Sequence, residues 1–112
     1  MNGKMRNKTG IAVFISGRGT NLGNLLKFCS NSSYPAKVEC VISNKSSAKG
    51  LQIANAGNIQ TFVAEKNFEE EAYNILSKFK VELICLAGFM KVLSGDFIDR
   101  FGKPIILSLI HI

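Results

Sequence analysis

A chain of 112 residues holds one domain at most, or part of one. Its 46% hydrophobic and 20% charged residues are ordinary for a soluble globular protein, and no apolar run reaches the length of a bilayer span. The net charge of +6 comes from a basic leader (Lys4, Arg6, Lys8) and scattered lysines and arginines, with no basic run interleaved with aromatics, which argues against nucleic acid as a partner.

The same modest positive field suits a phosphorylated small molecule. The leader MNGKMRNKTG lacks a following apolar h-region, so no signal peptide is expected. Cys29, Cys40 and Cys85 form no CxxC pair and each falls in an apolar pattern. They read as buried thiols of a cytoplasmic protein, with neither a disulfide framework nor a zinc site.

Ile11 to Ile15 (IAVFI) is a continuous apolar run, as a strand buried on both faces requires. Leu22, Leu25, Leu26 and Cys29 follow at helical spacing, with Thr20 or Asn21 as N-cap. Asn31 to Pro35 is a loop by composition, and Val38 to Ile42 (VECVI) a second strand. A short helix is expected from Ala48 to Ala56, closed by Gly57 at C′.

Ile59 to Val63 forms a weaker third strand. Phe68, Ala72, Ile75, Leu76 and Phe79 make a helical stripe whose first turn carries Glu69, Glu70 and Glu71, read as a solvated face. Leu83 to Ala87 (LICLA) is a strong strand ended by Gly88, Ser94 to Phe101 a short helix, and Ile105 and Ile106 the start of a fifth strand. Asp96 and Asp99 need only the helix dipole to explain them. Such alternation predicts an α/β fold, a Rossmann-like parallel sheet with helices on both faces.

In a sheet of this kind ligands sit beyond the carboxyl ends of the strands. The segment ISGRGTNL places Gly17 and Gly19 at such an end, just before a helix N-terminus whose N–H groups favour an anion. Thr20 and Asn21 offer side-chain donors and Arg18 a charge. The dinucleotide fingerprint does not fit, since Leu22 stands where its third glycine belongs, and no Gly-Lys-Ser/Thr of a Walker A loop follows. The glycines are equally compatible with a bare tight turn. Their position after the first strand favours the phosphate of a mononucleotide or phosphosugar.

Three segments together, ISGRGTNL, VISNKSSAKGLQIANAGNI and LICLAGFMKVLSGDFI, resemble the glycinamide ribonucleotide formyltransferases, folate-dependent enzymes of purine synthesis. The similarity runs from Ile11 to about Ile106 and covers roughly the first half of that family's domain. The resemblance implies that Gly17, Arg18, Gly19, Thr20 and Asn21 bind the substrate phosphate. It implies that Met90, Lys91, Val92 and Leu93 line a folate pocket, with Gly88 and Phe89 shaping the turn. Without the resemblance those four would read as core. It further implies 10-formyltetrahydrofolate as co-substrate, no metal, and glycinamide ribonucleotide as acceptor. The family's folate-holding arginine near the start of the third helix is not matched, because this sequence reads NFEEEAY there. The alternative is a non-catalytic phosphosugar-binding or mononucleotide-binding module.

The family's Asn-Ile-His motif, on the strand after GK, is also not matched: Leu107 follows GKPII. His111, the sole histidine, comes too late relative to Ile106 and lacks the Asn two residues before it, where Leu109 stands. It is read as a decoy, and no catalytic residue is assigned. The peptide LSLIHI looks like the translated mosaic-end adapter used in sequencing libraries. The chain accordingly divides into a leader (1–10), an incomplete formyltransferase-like domain (11–106) and a non-native tail (107–112). It is expected to be inactive by itself and to leave apolar sheet surface uncovered.

Overall fold

The computed structural model describes residues 8–17, 20–29, 33 and 35–107, with the side chains of Thr20 and Asn21 left aside. Nine elements alternate along the described chain: β1 (Thr9–Ile15), α1 (Thr20–Cys29), β2 (Ala36–Ser43), α2 (Gly50–Ala56), β3 (Gln60–Val63), α3 (Phe68–Leu76), β4 (Leu83–Leu86), α4 (Gly95–Phe101) and β5 (Ile105–Leu107). The strands form one parallel sheet in the order β3-β2-β1-β4-β5. The α/β architecture read from the sequence is the one observed.

β1 is central, and Ile11 to Ile15 are at most 4% exposed because both faces are covered. Ile11, Val13 and Ile15 pack with Leu22 and Leu25 of α1 and Ala54 of α2. Ala12 and Phe14 point the other way, into a cluster with Phe68, Ala72 and Leu76 of α3 and Phe97 of α4. An apolar run without alternation is what such two-sided burial demands. Phe14 is the hub of the second cluster, its ring edge-on to Phe68 at 5.1 Å and tilted against Phe89 at 5.4 Å and Phe97 at 6.1 Å.

β2 departs from simple alternation. Ile11 pairs with Val38 but Ala12 with Cys40, so Glu39 is an extra, bulged residue. Val38 therefore faces the α1/α2 side whereas Cys40 and Ile42 face the α3/α4 side. Strict period two across VECVI would have put all three on one face.

Several boundaries also shift. β1 begins at Thr9, whose N–H bonds the Pro35 carbonyl at 2.9 Å, ahead of the apolar run. α1 begins at Thr20, so Thr20 and Asn21 lie in its first turn instead of capping it. α2 begins at Gly50 and closes with Gly57 at the C-cap in ordinary backbone. The left-handed position falls on Asn58 (φ 61°). There Ile59 N–H bonds Ala54 O and Asn58 N–H bonds Asn55 O, both at 3.0 Å, the paired pattern of a Schellman stop that asparagine tolerates. α3 ends at Leu76, and Phe79 packs beyond it against Phe62. Leu107, assigned to the tail from sequence, pairs with Leu86 as the last residue of β5.

Candidate functional site

The carboxyl ends of β1 and β4 are neighbours, and their outgoing connections leave toward opposite faces of the sheet, α1 on one side and α4 on the other. This is a topological switch point, where an open α/β sheet leaves a crevice. The turn after β1 contains Ser16 and Gly17. The one after β4 runs through Gly88, Phe89 and residues 90–93 to the start of α4.

Ser16 joins them. It is 5% exposed, and its hydroxyl donates to Asn44 Oδ1 at 2.6 Å while accepting from Met90 N–H at 2.9 Å. One buried hydroxyl thus ties together the segments that follow β1, β2 and β4. Losing it would strand a buried polar group, at a cost of about 1–3 kcal/mol. Sequence reading missed Ser16. Its signal was a polar residue closing an apolar run directly before a glycine.

Gly17 is exposed, its φ lies outside the left-handed region, and a Cβ there would meet nothing within 4 Å. Neither packing nor backbone conformation demands a glycine at this point. What the missing side chain leaves is open access to the backbone at the head of α1. The Gly17 carbonyl accepts from Gly50 N–H at 3.1 Å, which pins the turn to α2. No acidic residue occupies the first turn of α1. Arg18 and Gly19 lie outside the described residues, as do the side chains of Thr20 and Asn21.

Gly88 takes φ +69°, a conformation that permits the sharp exit from β4. Phe89 then anchors the turn against Phe68 at 5.0 Å and Phe14. Met90 and Val92 are 78% and 90% exposed, and Lys91 is exposed as well. Only Leu93 packs on the α3/α4-side cluster. The residues alone suggested core for all four, and three of them stand in solvent instead.

The far end of this span is fixed by Ser94. Its N–H and its hydroxyl both donate to Glu69, to Oε2 and Oε1, at 2.6 Å each. The same Ser94 oxygen caps α4 by accepting from Phe97 N–H at 3.1 Å. The bond from the Ser94 hydroxyl, then that from its N–H, hold the Glu69 carboxyl below the usual range, with Lys91 adding a smaller pull against slight desolvation.

Glu70 bridges Arg100 at 3.2 Å, and the Arg100 guanidinium lies 4.0 Å above the Tyr73 ring. Glu71 accepts from Asn67 N–H at 3.1 Å. The acidic run read as a solvated face is therefore a clasp between α3, α4 and the turn before it. The partners of Glu69 and Glu70 lie 25 and 30 residues away, beyond any local pattern.

A cavity of about 630 Å³ opens at the opposite, amino-terminal end of the sheet, lined by Lys8, Lys37, Lys80, Lys103, Glu39 and Glu82 among others. Among the described residues, none of the site residues expected from the sequence lines it. Burial pushes the Cys40 thiol up to about 12, with Glu39 adding to the effect, so this cysteine is not a nucleophile at neutral pH. Among the described residues, no group of three His, Cys, Asp or Glu side chains could hold a metal ion, and no helix is long and apolar enough to cross a membrane. His111 lies outside the described residues.

Residues 9–111 match the family model described as Formyl transferase. Phosphoribosylglycinamide formyltransferase of Haemophilus influenzae is 42% identical over 103 residues, which cover 86% of this chain and 49% of that protein. The trifunctional purine biosynthetic protein adenosine-3 of Gallus gallus is 38% identical over 107 residues, 89% of this chain and 11% of that one. The crystal structure of phosphoribosylglycinamide formyltransferase from Anaplasma phagocytophilum superimposes with a TM-score of 0.82 at 39% identity, covering 90% of this chain and 49% of that one. The chain spans about half the length of such single-function relatives.

Proposed function

The chain belongs to the formyl transferase family, and we propose on that premise that its protein passes a formyl group from 10-formyltetrahydrofolate to the primary amine of glycinamide ribonucleotide. The observation that carries this reading is the pairing of two turns at the switch point, the glycine turn after β1 and the exposed span 90–93 after β4, held together by the Ser16 hydroxyl. The substrate phosphate binds at the head of α1 through Gly17, Arg18, Gly19, Thr20 and Asn21. Open access at Gly17 and a first turn free of acidic side chains support that placement. The folate lies along Met90, Lys91, Val92 and Leu93, and the exposure of Met90 and Val92 leaves apolar surface for a flat heterocycle.

The amine attacks the formyl carbon, a tetrahedral oxyanion forms, and the bond from that carbon to the folate nitrogen breaks, that nitrogen taking up the proton the amine loses. An oxyanion of this kind needs preorganised donors and a proton carrier. This chain's residues bind and orient the two substrates. Because its sequence does not carry the Asn-Ile-His motif after GK, the 112 residues alone are inactive in this reading. Residues 11–106 form the nucleotide-binding part. The substrates are small molecules, the protein works in the cytoplasm, and neither nucleic acid nor membrane is a partner.

Calorimetric titration with glycinamide ribonucleotide tests the phosphate site. Asn21→Ala should weaken binding about tenfold, the equivalent of about 1.4 kcal/mol, and inorganic phosphate should compete. Equal affinity for the dephosphorylated glycinamide riboside would refute the assignment. Formyl transfer by the full-length protein, set against none by the 112-residue chain, separates an enzyme from a non-catalytic phosphosugar-binding module.

A further inference from the structure

We infer that Ser16 and Glu69 are positioning residues for the formyl donor, fastening the two ends of the span 90–93 so that Met90 and Val92 are held out toward the cleft. The inference rests on the folate reading of that span and adds to it two residues from other elements. Ser16 follows β1 and grips Met90 N–H at 2.9 Å. Glu69 sits in the first turn of α3 and grips Ser94 twice at 2.6 Å.

Both anchors are defined in direction. The single Ser16 hydrogen is committed to Asn44 Oδ1, which leaves an oxygen lone pair for Met90. The Ser94 hydrogen is committed to Glu69, which leaves its oxygen to cap α4 at Phe97 N–H. Both Glu69 bonds are charge-assisted and so stronger than neutral ones.

Between these anchors the side chains do the opposite of what water favours. Met90 and Val92 are 78% and 90% exposed although their chain neighbours Phe89 and Leu93 pack into the cluster around Phe14 and Phe68. A span tied only at one end could turn those side chains inward and close the surface. Tied at both ends, it presents them in a fixed arrangement before the ligand arrives, and binding then spends less on ordering.

The test uses the full-length protein and its Ser16→Ala and Glu69→Gln variants. Calorimetry gives the affinity for 10-formyltetrahydrofolate and for glycinamide ribonucleotide separately, and amide hydrogen exchange reports on Met90 and Ser94. Glu69→Gln should weaken the donor at least about fivefold, leave glycinamide ribonucleotide within about twofold, and speed exchange at Ser94. Ser16→Ala should do the same for the donor and speed exchange at Met90. Glu69 is half-exposed, so its variant stands as the test even if Ser16→Ala fails to fold.

Unchanged donor affinity with accelerated exchange overturns the inference, and so does equal weakening of both ligands, the mark of general loosening. Wild-type protein that binds no formyl donor would overturn the folate reading and this inference with it. Wild-type protein that binds the donor no better than the variants do would overturn this inference alone.

Discussion

Two glycine-to-alanine substitutions should move stability in opposite directions. Alanine restricts the unfolded chain and stabilises by about 0.4–1 kcal/mol wherever the native backbone accepts it. Gly10 has no left-handed φ, so the backbone itself permits alanine. Space does not. A Cβ on Gly10 would stand 1.9 Å from the Lys80 carbonyl oxygen and 3.1 Å from Cγ of the bulged Glu39. The nearer obstacle is backbone, and the adjoining Glu82 N–H is bonded to Gly10 O at 2.9 Å. Relief requires the lead-in to β4 to move away from β1. Overpacking of this kind costs about 1–3 kcal/mol, and an unyielding obstacle puts it at the upper end. Subtracting the chain-entropy gain leaves a net loss of about 2–3 kcal/mol.

Gly23, inside α1, has only Ile53 Cγ2 at 3.9 Å, ordinary contact, so Gly23→Ala should gain about 0.8–1 kcal/mol of helix propensity. Urea unfolding followed by far-UV circular dichroism measures both, and an unchanged slope would show that each variant exposes the same surface on unfolding, so that the midpoint reports stability. Gly10→Ala should lower Tm by roughly 8–24 °C at about 4–8 °C per kcal/mol. A Gly10→Ala protein within about 0.5 kcal/mol of wild type, the range of a harmless surface change, would refute the close approach of β1 to Lys80.

Thiol labelling of the native protein at pH 8 should modify half-exposed Cys29 first and leave Cys40, fully buried with a pKa raised to about 12, untouched until unfolding. Comparable rates at the two sites would contradict the packing of β2. The Glu69 clasp should also leave a pH signature. Its carboxyl is held below the ordinary 4.5, so its contribution is present above that value and fades as pH falls through the lowered one. Ser94, Lys91 and the neighbouring Glu70–Arg100 pair are the groups around it. The difference in urea midpoint between wild type and Glu69→Gln should therefore be larger at pH 7 than at pH 3. A difference independent of pH would remove the carboxylate from the account.

Elements defined by local burial were legible in the chain before any coordinates. IAVFI read as a strand covered on both faces and LICLA as a strong strand, because no residue in them is polar. The glycine turn could be placed because a strand, a break and a helical stripe follow in order. Features set by distant partners were not legible. Nothing near Glu69 announces Ser94, and nothing near Ser16 announces Met90, 74 residues away. The bulge at Glu39 was hidden for another reason. Ala36, Val38 and Cys40 alternate with Lys37 and Glu39 without a break, so the pattern puts Val38 and Cys40 on one face and shows no extra residue. Asn58 shows a third limit, since composition nominates the glycine but the hydrogen-bond pattern selects the next residue.

The strand order has a consequence for synthesis. β1 is made first and can zip to β2 early, yet its other edge stays bare until Leu83–Leu86 has emerged. Throughout translation of α2, β3 and α3, the most apolar strand of the sheet is an open template for a neighbouring nascent chain. A bare edge of this kind, exposed during synthesis, is the surface that chaperones exist to cover.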